Sequence, residues 1–425
     1  MLRHFIERWI DPQRRRRARL AVTENENSFM VGARNWYESE RDRPAATREQ
    51  ILEQALQSWR THPLARRIIE LTTAYVLGGG LRLRCAEPGA AQFLARWWEH
   101  LLNRISLRAA EWCDELSRSG DLFFLLSTGP DGMSYVRALP AANVREVRTR
   151  PNDVQQELSI LERADEMGEE REWPVYDPLL DEPGPDGEFP GVVLHYAVNR
   201  PVGAVWGESD LAPLLRWLGR YAGWLEDRAR LNRYRNTFLF VVKTAFSSES
   251  ERLERQQALT KEPTPGSILV VDASESWEVI SPKLESHEAG EDGLAMKRMI
   301  AAGAGIPLHF LAEPEGSTRT TAEAAGGPAY RRFEQRQAYF CWVLADLARA
   351  ALRRKAALGA EGANWAGVSV EVVGADLSAR DNAALAGAAG TVSEALVKLW
   401  DRGLVGEEEV RRLVYRFLGE TGQEN

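Results

Sequence analysis

The chain has 425 residues, 44% of them hydrophobic and 27% charged, enough for two or three domains with substantial cores. A formal net charge of −8 excludes wholesale neutralisation of nucleic-acid phosphates, so any DNA contact has to be local or deliberately weak. Three widely spaced cysteines (Cys85, Cys113, Cys341) exclude a disulfide framework and a thiolate zinc site, and no run of 18 apolar residues offers a membrane span.

In chain order, residues 1–60 are polar, with helical patterns at 2–10 and 47–60 and a basic run, Arg14–Arg17, that reads as a solvated arm. A helix over 61–77 runs into Gly78-Gly79-Gly80. No Lys-Ser/Thr follows these glycines, so they read as a turn after a helix C-terminus rather than a phosphate loop. Leu81–Cys85 reads as a strand, and 90–118 as a helical stretch with Trp97, Trp98 and Trp112 in the core. A hairpin follows, turning at Pro130-Asp131-Gly132, with Asp121 and Asp131 expected as turn residues. Short strands are expected at 142–148, 156–162 and 191–198, with an acidic Pro/Gly-rich loop over 163–190. Residues 1–207 therefore read as one α+β unit.

Ser209 and Pro213 then open a long helical pattern, with Leu211, Leu214, Leu215, Leu218, Ala222 and Leu225 on one stripe. Trp206, just before it, reads as packing. A helix over 209–236 would be about 42 Å long at ~1.5 Å per residue. It turns basic near its end (Arg228, Arg230, Arg233, Arg235) and passes into a small αβ unit over 237–285. That unit has strands at 237–246, 267–271 and 277–280 and a charged helix at 248–260. A second helix is expected over 286–304. The connector 305–319 reads as a loop, and the helix over 320–357 should kink or break at Gly326-Gly327-Pro328. Val368–Val373 reads as a late strand. The tail, 378–418, reads as two helices around Gly403, opened by a Ser378…Asp381 cap.

Catalytic signatures are missing: no GxSxG, HExxH, Walker or dinucleotide fingerprint occurs. His287, Glu288, Glu291 and Asp292 can be drawn as a metal or nuclease site, but acidic residues are expected at a helix start. The expectation is no catalytic residue, no metal and no cofactor.

Three segments, GDLFFLLSTGPDGMSYVRALPAANV (120–144), GESDLAPLLRWLGRYAGWLEDRARLNRYRNTF (207–238) and GIPLHFLAEPEGSTRTTAEAA (305–325), follow one another in an order and spacing that resemble a bacteriophage portal protein of the siphophage type, the head-to-tail connector. The resemblance implies an α+β portal fold. Its parts would be a wing over 1–207, stem helices lining a tunnel over 208–236 and 286–304, a small αβ clip over 237–285, and a tunnel loop over 305–319. The long kinked helix and a wing strand would lie in 320–376, and a helical crown in 377–425. It implies a ring of about twelve subunits at one capsid vertex, in the virion and, during assembly, in the host cytoplasm. Double-stranded DNA would pass through it in packaging and ejection. Implied partners are the terminase large subunit, a head–tail adaptor, and the major capsid and scaffolding proteins, with no membrane. Glu313, Glu315, Gly316, Ser317, Thr318 and Arg319 would face DNA. Glu249, Glu251, Arg252, Glu254, Arg255 and Lys261 would face the terminase or adaptor. The alternatives are a non-ring structural capsid or adaptor protein, or a metal-dependent nucleic-acid-processing enzyme.

Overall fold

The computed structural model describes residues 41–163, 168–236, 239–258 except 244 and 246, 276–280, 289–312, 319–359, 365–375 except 366, and 393–411 except 404 and 407. Expectations for 2–10, Arg14–Arg17, 267–271 and the Ser378…Asp381 cap lie outside those residues.

Two helices open the described chain, α1 (Ala45–Thr61) and α2 (Pro63–Leu77). Pro63 takes the first helical position, where no N–H is needed, and His62 Nδ1 accepts from the Leu64 N–H at 3.2 Å. The triple glycine is the end of α2. Gly78 N–H donates to Ala74 O, Gly80 has φ 81°, and a Cβ on Gly79 would lie 1.9 Å from that of Ala375. β1 (Leu81–Cys85) pairs antiparallel with β10 (Val370–Gly374), drawing the late chain back to the start. The helical stretch expected at 90–118 is two helices, α3 (Pro88–Glu99) and α4 (Ile105–Ser119). Arg104 sits between them at φ 45°, left-handed backbone that precedes the first residue of α4.

A three-stranded antiparallel sheet is ordered β3-β2-β7, from β2 (Asp121–Thr128), β3 (Ser134–Leu139) and β7 (Val192–Ala197). A second is ordered β4-β5-β6, from β4 (Val144–Arg150), β5 (Asp153–Glu162) and β6 (Arg171–Pro174). β6 lies inside the expected loop. Its four residues carry little periodicity of their own and are held by pairing with β5. Alternation along β2 makes three layers: Leu122, Phe124 and Leu126 pack towards helices, while Phe123, with Val193 of β7, packs on Val147 and Ile160 of the second sheet.

The helical layer is dominated by α9 (Arg319–Ala357), 39 residues and about 58 Å long. Phe340, Val343, Leu344, Leu347, Ala348, Ala351 and Leu352 form its buried stripe, none more than 2% exposed. The expected break at Gly326-Gly327-Pro328 does not occur; helix continues through it. Gly327, with no Cβ, relieves the clash that a proline imposes on the preceding residue, and the buried stripe holds the helix beyond it.

The first long helix is also corrected. Regular α-helix, α5, spans Leu215–Asn236, 22 residues or about 33 Å. Before it Leu214 N–H donates to Leu211 O, a tighter i→i+3 turn, and Ser209 Oγ accepts from Leu211 N–H at 3.0 Å. Then come β8 (Leu239–Lys243), α6 (Glu249–Ala258) and β9 (Ser276–Ile280), with β8 and β9 paired antiparallel. α7 (Ala289–Ala304) and the short α8 (Leu308–Leu311) lead into α9. A further helical run covers 393–401, ending at Gly403 (φ 69°). No described helix is long and apolar enough to cross a membrane.

Candidate functional site

The long helices α5 and α7 form an antiparallel pair, read from two glycines. A Cβ on Gly303 would lie 2.5 Å from Leu214 Cδ2, and one on Gly293 would lie 2.6 Å from the Trp224 ring. Both contacts are ten residues apart (224 − 214 and 303 − 293), and the numbers run in opposite senses. At the base, Leu211, Leu214 and Leu218 pack with Ile300, Ala304, Ile306 and Phe333. Beyond Tyr221, which packs on the edge of that core, the pair leaves it: no residue of α5 from 219 to 233 is buried, and Leu225 is exposed.

A buried polar knot fixes the foot of the pair. Asp210 Oδ1 accepts from Arg336 Nη2 at 3.0 Å and Asn199 Nδ2 at 2.8 Å, with Arg332 Nη2 at 3.5 Å. The Asp210 N–H donates to Ser117 O at the end of α4, and Arg332 also donates to Ala304 O, the last carbonyl of α7. A carboxylate at the start of one helix and a guanidinium at the end of another each suit the local helix dipole. Burial pulls the Arg332 guanidinium below its ordinary value, against the favourable charge of Asp210.

A second knot lies where the two sheets meet the chain entering this foot. Asp121, fully buried, accepts from Gly207 N–H at 2.7 Å, His195 Nε2 at 3.2 Å and Arg48 Nη2 at 3.1 Å. His195 Nδ1 meets Glu157 Oε1 at 2.8 Å, and the imidazole stacks on Phe123 at 4.2 Å. Burial alone would push the His195 pKa down, but Glu157 and Asp121 outweigh it and hold it up at about 9. The ring is therefore imidazolium near neutrality and donates from both nitrogens. Arg48 lies 3.6 Å over Trp206, the packing role expected of that tryptophan. Burial draws the Arg48 guanidinium down, and Asp121 opposes the shift.

Asp131 is the expected turn residue, its Oδ1 accepting from Met133 N–H at 3.0 Å; Asp121 is not a turn residue but the centre of this knot. Sequence reading also passed over Asp210, Arg332, Arg336, His195, Glu157 and Arg48. The only local sign was a carboxylate directly after an N-cap serine, Ser209-Asp210.

The connector is partly helical. Gly305 (φ 63°) ends α7, with Ile306 N–H donating to Ala301 O, and α8 follows. Phe310 stacks on Tyr75 at 6.2 Å, and Tyr75 on Phe333 at 4.5 Å, which seats the connector's first half against α2. Glu313, Glu315, Gly316, Ser317 and Thr318 lie outside the described residues; Arg319 is the first residue of α9, so it opens a helix rather than closing a loop.

Glu249, Glu251, Arg252, Glu254 and Arg255 all fall on α6, and Lys261 lies outside the described residues. Glu251 N–H donates to Ser248 Oγ at 3.3 Å while Ser247 N–H donates to Glu251 Oε2 at 2.8 Å, a cap readable as Ser248-x-x-Glu251. Arg252 pairs with Glu249 one turn back. Of the drawn metal cluster, Glu291 and Asp292 stand in the first turn of α7, and His287 and Glu288 lie outside the described residues. Among the described residues no three His, Cys, Asp or Glu side chains are placed to hold a metal.

No family model matches the chain, and no curated protein does. Solved structures do match by fold. A chain in the "Virion of native gene transfer agent (GTA) particle" aligns with TM-score 0.54 and 15% identity, over 88% of this chain and 93% of that one. One in the "Neck of native GTA particle computed with C12 symmetry" aligns with TM-score 0.53 and 15% identity, over 85% and 92%. One in the "Neck of empty GTA particle computed with C6 symmetry" gives 0.54 and 14%, over 85% and 93%. The fold described above is thus shared, nearly end to end, with chains of that particle and its neck.

Proposed function

We propose that this chain is a structural subunit of a phage-like particle, a portal-type protein that closes into a ring at the head–tail vertex and passes double-stranded DNA. The observation that carries the reading is the antiparallel pair α5/α7. Its foot is locked by Asp210 and the Leu214–Gly303 contact, yet no residue of α5 from 219 to 233 is buried within one subunit and, of α7 from 290 to 299, Gly293 alone is. Helices projecting without a core of their own gain burial from copies of themselves, and head-to-tail contacts that close give cyclic rings. The fold shared with a neck reconstructed with twelvefold symmetry supports a ring of about twelve in the virion.

In this reading residues 1–207 with β10 are the wing, α5 and α7 the stem, 237–285 the clip and 305–319 the tunnel loop, whose last residue, Arg319, opens α9. The net charge of −8 per chain suits a conduit, because dense positive charge would pin DNA by its phosphates. Glu313 and Glu315 repel the duplex and Arg319 attracts it weakly. α6, with Glu249, Glu251, Arg252, Glu254 and Arg255, docks the terminase large subunit and then the head–tail adaptor, and the ring's outer surface meets the major capsid and scaffolding proteins. The protein itself performs no catalysis; the terminase supplies the motor.

In a reconstituted packaging reaction, Arg319→Glu and deletion of 313–317 should both leave rings intact and lower DNA packaged or retained. Wild-type packaging and retention by both variants would remove the connector from the tunnel.

A further inference from the structure

Two leucine patches lie at opposite edges of the β3-β2-β7 sheet, each pinned by a buried polar residue and each with a rim of opposite charge. The first is the turn between α3 and α4. Leu101 is 67% exposed and Leu107 71%, and Leu102 is exposed between them. The turn is rigid: Arg104 holds left-handed backbone, and Asn103, fully buried, caps the free edge of β3. Its Nδ2 donates to Ser134 O and Trp97 O at 3.0 Å, and its Oδ1 accepts from Val136 N–H at 3.1 Å. Arg104 and Arg108 stand beside these leucines in the chain and Arg137 donates to Leu102 O at 2.8 Å, three cations against Glu99 and the exposed Glu111.

The second patch adjoins the β7 edge, where Tyr176 N–H donates to Val193 O and the chain turns at Asp177–Glu182. Leu179 is 86% exposed and Leu180 79%. This turn is rigid too. Asp177 Oδ1 accepts from Leu179 N–H at 2.9 Å, and Asp181 takes both arms of the buried Arg354 at 2.7 and 2.8 Å. Arg354 also donates to Pro190 O at 3.0 Å and Thr128 Oγ1 at 3.1 Å, tying the turn to α9 and the sheet. Residues 177–188 hold five carboxylates and no Lys or Arg. Among the described residues Arg354 neutralises Asp181, which leaves Asp177, Glu182, Asp186 and Glu188 as an acidic rim.

Rigid turns that hold leucines in water cost solvation without stabilising a lone subunit. We propose that these patches are the two halves of the contact between neighbouring copies: the Leu101–Leu107 turn of one chain, with its arginines, docks on the acidic Leu179–Leu180 turn of the next. The occupant is a second copy because one chain carries both complementary charges, and on opposite sheet edges. A head-to-tail contact requires that placement and an isologous one does not. The inference rests on the ring reading and adds which surfaces make the ring.

The test uses the full chain at matched concentration, followed by light scattering and negative-stain imaging. Leu101→Asp/Leu107→Asp and Leu179→Asp/Leu180→Asp alter exposed side chains, so each should melt near the wild-type temperature. Neither should form rings alone at the wild-type concentration, the half-assembly point rising by about tenfold or more. Mixed, they should give a heterodimer, since one intact contact remains. Arg104→Glu/Arg108→Glu and Glu182→Arg/Glu188→Arg should each weaken assembly, and all four changes in one chain should restore it. If wild type forms rings and the leucine variants do so equally well, or the charge swap shows no rescue, the assigned surfaces are wrong and the ring reading stands. If wild type stays monomeric at every concentration, both fall.

Discussion

Replacing Asp210 with alanine removes the one carboxylate, among the described residues, that pairs with Arg332 and Arg336 at the foot of the helix pair. An ion pair broken from one side leaves its partner buried and unpaired, which costs about 3–5 kcal/mol; Arg332 keeps more water than Arg336, so about 3 is expected here. Chemical denaturation of Asp210→Ala and Asp210→Asn checks this. The asparagine keeps shape and one acceptor, and should lose less. His195 gives a pH signature. Its folded pKa of about 9 lies above the ordinary 6.5, so its contribution is fully present below pH 6.5 and is lost as pH rises through 9. The span corresponds to about 3 kcal/mol. The denaturation midpoint should fall between pH 7 and 10 in wild type and stay flatter in His195→Gln; an equal fall in both would contradict the role. Neither knot was legible in the sequence. Asp121 stands 74 residues from His195 and 73 from Arg48, and a string of residues shows only local neighbours, among which Asp121 looked like a hairpin terminus.

Glycines in α5 and α7 separate two kinds of helix position. Gly293 and Gly303 lie where a Cβ would strike Trp224 and Leu214, whereas a Cβ on Gly219 or Gly223 meets nothing within 4 Å. Alanine is favoured over glycine inside a helix by about 1 kcal/mol. In the unassembled chain, Gly219→Ala and Gly223→Ala should therefore stabilise by about 0.5–1 kcal/mol, and Gly303→Ala and Gly293→Ala should destabilise despite the same propensity gain. Denaturation midpoints of the four variants decide it. Elements with strong periodicity or turn chemistry were legible: the 81–85 strand, the hairpin at Pro130-Asp131-Gly132, and the helix ending at Gly78. Those set by partners were not. β6 exists because β5 pairs it, and α9 continues through Pro328 because its later turns are clamped in the core.

At the scale of the molecule, the order of elements was readable: helices and short strands, a long helix, a strand–helix–strand run, a second helix, a very long helix and a late strand. The return of β10 to β1 shows why the first and last parts make one body. What one subunit leaves unsatisfied, the upper α5/α7 pair and the two leucine turns, is the argument for assembly. The most direct measurement is the mass of the purified chain by light scattering at micromolar concentration across salt conditions, with imaging of the same sample. A closed ring of about twelve 47.7 kDa subunits, near 570 kDa with a central channel, is the predicted result. A single species of 47.7 kDa under all conditions, or open filaments with no channel, would contradict it.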